Sequence, residues 1–304
     1  MTELQRYLAE EVAEDHADGI ITRREAMRRL GLLGLGGATA TSLLTAFEAK
    51  AATPARRSRH RGHAGGSDHD AKVVVWEPVA TEAITFPGPN GTLMGAWAPA
   101  VGETHGAVLV IHENRGLNDH IRQVAGRFAA DGWSALALDL LSEEGGTGAF
   151  PDEGAASAAL AKVPPERFDA DMRAALTELQ RRVTGGGLAA IGFCFGGGMI
   201  WRLLATGDDR LDAAAPFYGP FPENASLEGA KAAVLAVYGG LDERVLATRP
   251  AAEAALAAAG LDHRVLIFNQ ANHAFFNDTG ERFNPPAAAE AWRRTLRWFD
   301  RHAD

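Results

Sequence analysis

The chain has 304 residues, of which 46% are hydrophobic and 23% charged, an ordinary composition for a globular protein. The formal net charge of −9 disfavours a nucleic-acid partner, because an acidic surface repels phosphates. The single cysteine, Cys194, excludes an internal disulfide, and no group of cysteine and histidine residues has the spacing of structural zinc.

Residues 1–51 differ from the rest of the chain and predict an N-terminal extension. An acidic stretch with weak helical character precedes Arg23-Arg24, and an uncharged run over 30–47 follows. Ala49-Lys50-Ala51 then supplies small residues at the spacing of a signal-peptidase site. The paired arginines and the glycine-rich run resemble a twin-arginine signal, which predicts export by that machinery. The alternative is a cytoplasmic protein with an uncleaved N-terminal helix, which the long acidic lead favours.

Residues 52–75 predict a flexible linker. This segment is rich in proline, glycine, serine, arginine and histidine over 52–70 and lacks apolar periodicity. His60, His63 and His69 could hold a metal loosely, but a solvated tether is the preferred interpretation. The catalytic domain is then expected over 76–304.

The main domain alternates short apolar runs with amphipathic ones. The first two runs flank a turn of proline, glycine and asparagine, which predicts an opening hairpin. Strands are predicted over 84–86, 92–97, 107–112, 133–140, 188–193, 213–218, 232–238 and 264–269, and helices over 117–131, 165–182, 197–205, 250–259 and 288–302. The alternation predicts an α/β fold with a mostly parallel sheet that is covered by helices on both faces.

The lone cysteine lies in Gly192-Phe193-Cys194-Phe195-Gly196, where a predicted strand meets a predicted helix. This spacing is typical of a nucleophile elbow, whose glycines avoid collisions with neighbouring backbone. The helix N-terminus favours a thiolate, and the Phe195 N–H is predicted to point at a developing oxyanion. The alternatives are a buried structural cysteine and a redox-sensing thiol. The second is weakened by the lack of a resolving cysteine.

A nucleophile needs a base, and the base needs an orienting acid. In an elbow architecture the chain order is nucleophile, acid and histidine. His273 lies in a predicted loop after the last strand and is the expected base, ahead of His263 and His302. Asp242 follows the preceding predicted strand and is the expected acid, with Glu243 as its rival.

With these residues placed, the chain resembles the dienelactone hydrolase (carboxymethylenebutenolidase) family of the α/β-hydrolase fold over about 80–302. The resemblance rests on the cysteine elbow together with a second set of short motifs. These are His112-Glu113-Asn114-Arg115-Gly116-Leu117-Asn118, Phe217-Tyr218-Gly219, Gly240-Leu241-Asp242 and Asn272-His273-Ala274-Phe275-Phe276.

The resemblance implies roles for residues that spacing alone does not identify. It implies that Glu113 lies near the resting thiol and helps to take its proton, against the alternative of a structural carboxylate. It also implies a second oxyanion-hole N–H from Asn114. The substrate-binding candidates are Arg115, Tyr218 and Phe276. The family carries a substrate-binding arginine soon after its catalytic histidine, and this chain has none at that place. Arg115 is a candidate to replace it, and the alternative is that Arg115 forms a structural ion pair.

The predicted activity is hydrolysis of a lactone, such as a dienelactone-like enol lactone, or of an activated ester through a cysteine thioester. No metal or organic cofactor is required for this chemistry. The alternatives are a general carboxylesterase or thioesterase, and a non-catalytic extracytoplasmic binding protein on a hydrolase scaffold. The oligomeric state is left open.

Overall fold

The computed structural model describes residues 1–52 and 76–304 of the chain. The chain divides into two compact units, Met1–Val73 and Val74–Asp304.

Two of the predictions fall mainly on residues outside the described ranges. The predicted linker, 52–75, is described only at Ala52, where a helix ends. His60, His63 and His69 also lie outside the described residues. The linker and the loose metal site therefore stay predictions.

The described part of the first unit consists of three helices joined by short turns. Thr2 and Thr22 are the N-caps of the first two, because each hydroxyl accepts a backbone N–H three residues later. The helices contact one another, and His16 and Arg23 both bind the Glu48 carboxylate at 2.8 Å. The helices are α1 (Glu3–Ala17), α2 (Arg23–Leu32) and α3 (Gly37–Ala52).

The run predicted as the apolar part of an export signal, 30–47, spans two of these helices. α2 ends at Leu32 and α3 begins at Gly37, so the chain turns within the run. Ala49-Lys50-Ala51 lies in the last turn of α3. Within residues 1–52 and 76–304, no helix combines the length and the apolar character that crossing a membrane requires. Export itself stays a prediction.

The described part of the second unit is built on an eight-stranded sheet with the strand order β1-β2-β4-β3-β5-β6-β7-β8. β1 pairs with β2, and β2 with β4, in antiparallel fashion, whereas every other pair is parallel. The opening hairpin and all six later strands were therefore predicted correctly, within one or two residues at their ends. The strands are β1 (Glu82–Pro87), β2 (Thr92–Ala98), β3 (Gly106–Ile111), β4 (Trp133–Asp139), β5 (Gly187–Phe193), β6 (Leu211–Phe217), β7 (Ala233–Gly239) and β8 (His263–Phe268).

The five predicted helices of this unit are present, and the structure adds elements that the sequence did not signal. α5 is rich in alanine and has little contrast between apolar and charged faces, and α8 is a single turn. Short 3₁₀ turns occupy Ser142–Glu144 and Thr147–Ala149. The helices are α4 (Asp119–Ala130), α5 (Glu153–Leu160), α6 (Pro165–Arg182), α7 (Phe195–Ala205), α8 (Glu243–Leu246), α9 (Arg249–Ala258) and α10 (Pro285–His302).

The strands β3, β4 and β7 are buried along their whole length, which indicates that helices cover both faces of the sheet. α4 and α10 pack together through Phe128, whose ring centroid lies 4.4 Å from that of Trp292. α6 and α7 pack together through Phe168 and Phe195, whose centroids lie 5.5 Å apart. The predicted α/β-hydrolase architecture is confirmed.

The carboxyl ends of the parallel strands meet at one edge of the sheet, as the topology requires. Glu113 follows β3 and Cys194 follows β5, and Tyr218 follows β6. Asp242 and His273 lie in the loops after β7 and β8. Most of the predicted site residues are therefore brought to the same edge, although long stretches of sequence separate them.

Candidate active site

Cys194 occupies a strained turn between β5 and α7. Its backbone has φ 57° and ψ −118°, a combination that side-chain-bearing residues seldom adopt. A Cβ added to Gly192 would lie 2.2 Å from the Gly196 carbonyl oxygen. A Cβ added to Gly196 would lie 2.5 Å from the carbonyl oxygens of Ile111 and His112. Both positions therefore require glycine, because the neighbouring backbone leaves no room for a side chain. This agrees with the reason that the sequence analysis gave for the glycines of a nucleophile elbow.

This crowding gives a prediction with a matched control in the same helix. Gly196→Ala should destabilise the protein by about 1–3 kcal/mol or more, because backbone must move to admit the methyl group. Gly198→Ala is the control, since its Cβ would meet nothing closer than 3.5 Å. That variant should be neutral or stabilised by up to about 1 kcal/mol, because alanine favours a helix interior over glycine. Urea unfolding measures both, and equal stabilities would contradict the prediction.

His273 is held by Asp242. Its Nδ1 donates to Asp242 Oδ2 at 2.6 Å, and both side chains are buried. The other carboxylate oxygen, Oδ1, accepts the Val245 N–H at 3.0 Å and so caps α8. The two hydrogen bonds fix the orientation of the carboxylate, which in turn assigns the Nδ1 proton of the imidazole.

The His273 ring also faces the thiol. A ring nitrogen of His273 and Sγ of Cys194 lie within 4.8 Å of each other. Burial by itself lowers the pKa of His273, but the negative charges of Asp242 and Cys194, with the hydrogen bonds to both, raise it to about 10. The imidazole of His273 is therefore favoured in its protonated form at neutral pH, beside Cys194.

The rival residues lie elsewhere. His263 begins β8, at the opposite edge of the sheet from Cys194, and its Nδ1 contacts the Leu261 carbonyl oxygen at 2.8 Å. The ring of His302, near the end of α10, lies 4.3 Å from that of Trp298, and the two planes are inclined by 45°. Glu243 is exposed at the start of α8. Of these candidates, only His273 and Asp242 are brought together with the thiol.

Glu113 is buried and held by a residue that the sequence analysis missed. Nδ2 of Asn277 donates to Glu113 Oε2 at 2.8 Å. The Asn277 Oδ1 accepts from the N–H and the hydroxyl of Thr279, which fixes the direction of its amide. The other oxygen of Glu113 makes no hydrogen bond within the described ranges. The only sequence feature that could have pointed to this contact is the asparagine four residues after His273. The sequence does not indicate that Glu113 is its partner.

The two predicted oxyanion donors are backbone N–H groups at neighbouring strand ends. The Phe195 N–H begins α7, and the Asn114 N–H lies in the turn that follows Glu113. Neither donates to an acceptor among residues 1–52 and 76–304. Both groups are therefore available to bind an oxygen atom of a substrate.

His112 was quoted in the sequence motif but given no role. It is fully buried, and its two ring nitrogens both contact backbone groups. Burial lowers its pKa in spite of the nearby Asp139 and Glu113 carboxylates. A neutral imidazole whose two nitrogens are both hydrogen-bonded to backbone groups cannot act as a second general base.

The three predicted substrate-binding residues have different surroundings. Arg115 forms an ion pair with Glu153 at 3.3 Å near the surface. The ring of Tyr218 lies 5.2 Å from that of His273, and burial, followed by the charges of Glu113 and Cys194, raises the pKa of Tyr218 well above its usual value. Phe276 is fully buried in the aromatic core. Contact of these residues with a substrate stays a prediction.

A partly buried ion pair holds the far end of the His273 loop. Asp278 accepts from Nδ1 of His120 at 3.0 Å and from Arg127 at 2.5 Å, which ties the loop to α4. The Arg127 guanidinium in turn lies 4.1 Å from the centroid of the Trp76 ring. Burial by itself raises the pKa of Asp278, but His120 and Arg127 lower it overall. None of these partners was predicted.

Comparison with known proteins agrees with this geometry. A family model described as the dienelactone hydrolase family matches residues 95–303. The chain belongs to the dienelactone hydrolase family. It is therefore a dienelactone hydrolase-like enzyme that hydrolyses lactones or esters, and the resemblance drawn from the motifs is confirmed.

Individual relatives align with most of this chain. A protein of Escherichia coli O157:H7 named "Putative carboxymethylenebutenolidase" is 32% identical over 210 residues, or 64% of this chain and 76% of that protein. A protein of Methylorubrum extorquens with the same name is 29% identical over 249 residues, or 75% of this chain and 85% of that protein.

Solved structures lead to the same family. A Klebsiella pneumoniae protein described as a "Putative Dienelactone Hydrolase" superposes with a TM-score of 0.65 at 26% identity, over 73% of this chain and 98% of that one. A dienelactone hydrolase-like promiscuous phosphotriesterase from metagenomic libraries superposes with a TM-score of 0.62 at 26% identity, over 75% and 100% of the two chains.

Proposed function

We propose that the protein hydrolyses an enol lactone or activated ester through a thioester on Cys194, with His273 as acid and base and Asp242 as its orienting group. The observation that carries the proposal is that His273 is hydrogen-bonded to Asp242 and also lies beside the Cys194 thiol. One nitrogen donates to Asp242 at 2.6 Å and the ring faces the thiol, with a pKa raised to about 10. Family membership and the strained elbow support the same assignment.

The first half-reaction forms the thioester. The Cys194 thiolate attacks the carbonyl carbon, and the carbonyl electron pair moves to oxygen, where the Phe195 and Asn114 N–H groups stabilise the negative charge. The intermediate collapses, the C–O bond of the lactone or ester breaks, and the His273 imidazolium gives its proton to the leaving oxygen. The products of this step are an acyl-thioester and a neutral imidazole.

The second half-reaction releases the acid. Neutral His273 takes a proton from water while the water oxygen attacks the thioester carbonyl, and the same two N–H groups stabilise the second oxyanion. Collapse expels the Cys194 thiolate and restores the imidazolium–thiolate pair. Asp242 keeps the Nδ1 proton in place and stabilises the charged imidazole throughout. Glu113, held by Asn277, remains the candidate acceptor for a thiol proton in enzyme molecules where the pair is not charged.

The test joins a substrate panel to mass spectrometry. Cis- and trans-dienelactone, p-nitrophenyl acetate and ethyl acetate are each mixed with the enzyme, and turnover and acid-quenched protein mass are recorded. We expect turnover of the dienelactones and the p-nitrophenyl ester, with a transient acyl adduct on the peptide that contains Cys194. Preference for the simple alkyl ester would instead indicate a general carboxylesterase. Turnover without an adduct on Cys194 would contradict the thioester route.

We further propose that the N-terminal segment directs export through the twin-arginine pathway. Arg23-Arg24, the uncharged run over 30–47 and Ala49-Lys50-Ala51 support this. Protein isolated from its native host should begin at or near Ala52 by N-terminal sequencing. The control is Arg23→Lys combined with Arg24→Lys, which keeps the charge and should leave uncleaved chain in the cytoplasm. Uncleaved wild-type chain in the cytoplasm would contradict the proposal.

A further inference from the structure

The ring of His112 joins two backbone groups at the carboxyl ends of neighbouring strands. Its Nδ1 lies 2.6 Å from the Glu113 carbonyl oxygen, and the Leu140 N–H donates to its Nε2 at 3.2 Å. A carbonyl can only accept and a backbone N–H can only donate, so the proton of the ring is on Nδ1. Its hydrogen bonds therefore assign a single neutral tautomer to this buried imidazole.

The hydrogen bond to the Glu113 carbonyl fixes the plane of the peptide that joins Glu113 to Asn114. This peptide is trans, and in a trans peptide the C=O and the N–H point in opposite directions. The carbonyl is drawn toward the His112 ring and also accepts the Gly116 N–H at 3.3 Å. The Asn114 N–H is therefore turned away from the His112 ring.

The same histidine also contacts the other half of the predicted oxyanion hole. Its ring stacks on that of Phe195, with centroids 5.9 Å apart and planes inclined by 22°. The backbone of Gly196, the next residue, approaches the His112 carbonyl oxygen so closely that an added Cβ would lie 2.5 Å from it. The backbone that carries the Asn114 N–H and the backbone that carries the Phe195 N–H are therefore both in contact with one buried residue.

We propose that His112 is a positioning residue for the oxyanion hole, whose Nδ1–H holds the Glu113–Asn114 peptide in the orientation that presents the Asn114 N–H to the substrate carbonyl oxygen. This inference rests on the proposed thioester mechanism, because it assigns a function to an N–H that acts only in carbonyl chemistry. If the ring were lost, the peptide could rotate, and one of the two donors would no longer face the developing charge.

A purely structural role makes a different prediction. If His112 only joined the ends of β3 and β4, its loss would disturb the whole site, including the reactivity of the thiol. A positioning role affects only the steps in which negative charge develops on a carbonyl oxygen. Alkylation of Cys194 by iodoacetamide separates the two, because it displaces iodide from a saturated carbon and needs no oxyanion stabilisation.

The test compares His112→Phe with His112→Gln. The phenyl ring keeps the stacking on Phe195 but removes both hydrogen bonds, whereas the glutamine amide keeps a donor and an acceptor. With p-nitrophenyl acetate, we expect His112→Phe to lower kcat by about tenfold to a thousandfold, with little change in KM. The upper limit corresponds to the complete loss of one oxyanion-hole donor. Affinity for trifluoroacetophenone, which forms a charged adduct with the thiolate, should fall by a similar factor. His112→Gln should recover part of both losses.

The iodoacetamide rate decides between the two roles. An unchanged rate in a variant with lowered kcat supports the proposal, and a rate that falls in parallel with kcat overturns it, as does an unaltered kcat. If His112→Phe does not fold, His112→Asn takes its place, since its shorter amide cannot reach both backbone groups. Absence of turnover and of an acyl adduct in the wild-type enzyme would instead refute the thioester mechanism, so the two failures are distinguishable.

Discussion

Replacing His273 with alanine should lower turnover at least about a hundredfold, because in the proposed mechanism one side chain supplies both the proton for the leaving group and the base for the attacking water. The loss should appear in kcat with p-nitrophenyl acetate and with the dienelactones. Iodoacetamide alkylation of Cys194 at neutral pH should also slow, since the proposed mechanism relies on the positive charge of His273 beside the thiol. Loss of the base affects both assays, which distinguishes this variant from those at His112.

Matched controls are available in the other two histidines that follow Cys194 in the chain. His263→Ala and His302→Ala remove imidazoles at the start of β8 and the end of α10, and both should keep near-normal turnover. Near-normal turnover in His273→Ala, with a large loss in one of these controls, would reassign the base. Since His273 is buried against Asp242, each variant should be checked for a cooperative unfolding transition before its kinetics are interpreted.

The raised pKa of His273 also sets the sign of its effect on stability. A group whose folded pKa is raised stabilises the fold fully below its unfolded value, which is about 6.5 for histidine. That contribution is lost as the pH rises through the folded value of about 10. The difference in free energy of unfolding between wild type and His273→Ala should therefore be larger at pH 6 than at pH 10.

Replacing Cys194 with serine should affect two kinds of substrate unequally. A tetrahedral intermediate on sulfur can expel either the thiolate or the substrate oxygen, and an ordinary thiol has a pKa of only about 8.5. A simple alkoxide is a far more basic leaving group, so with an alkyl ester the intermediate tends to return to the starting material. An enol lactone releases a stabilised enolate, and forward collapse becomes competitive.

The expected result follows from this partitioning. With dienelactone, Cys194→Ser should lose about a hundredfold or more in kcat, because a hydroxyl depends on His273 for its ionisation. With a simple alkyl ester the rate should fall less or even rise, because the serine intermediate partitions forward more readily. Cys194→Ala is the control and should be inactive on both. Equal losses on both substrates would show that sulfur is used for another reason, such as geometry or the pairing with Glu113 that the family resemblance implies.

The sequence by itself was sufficient for the parts of the site that depend on local geometry. Cys194 was recognisable because the elbow requires glycine on both sides of it, and the contacts of Gly192 and Gly196 show the collisions that a side chain would cause. Asp242 and His273 could be ranked above their rivals because parallel strands bring the loops after their carboxyl ends to one edge. Continuous apolar runs likewise revealed strands that are buried on both faces.

The tertiary structure alone decided how these residues are held. The hydrogen bond from Asn277 to Glu113 joins positions 164 residues apart, and those from His120 and Arg127 to Asp278 span 158 and 151 residues. A single sequence records which side chains can donate or accept, but the partner of each depends on which loops the folded sheet brings together. The role that we propose for His112 was hidden for the same reason. Its imidazole bonds to backbone groups, which look alike along the sequence and become distinct only when the chain folds.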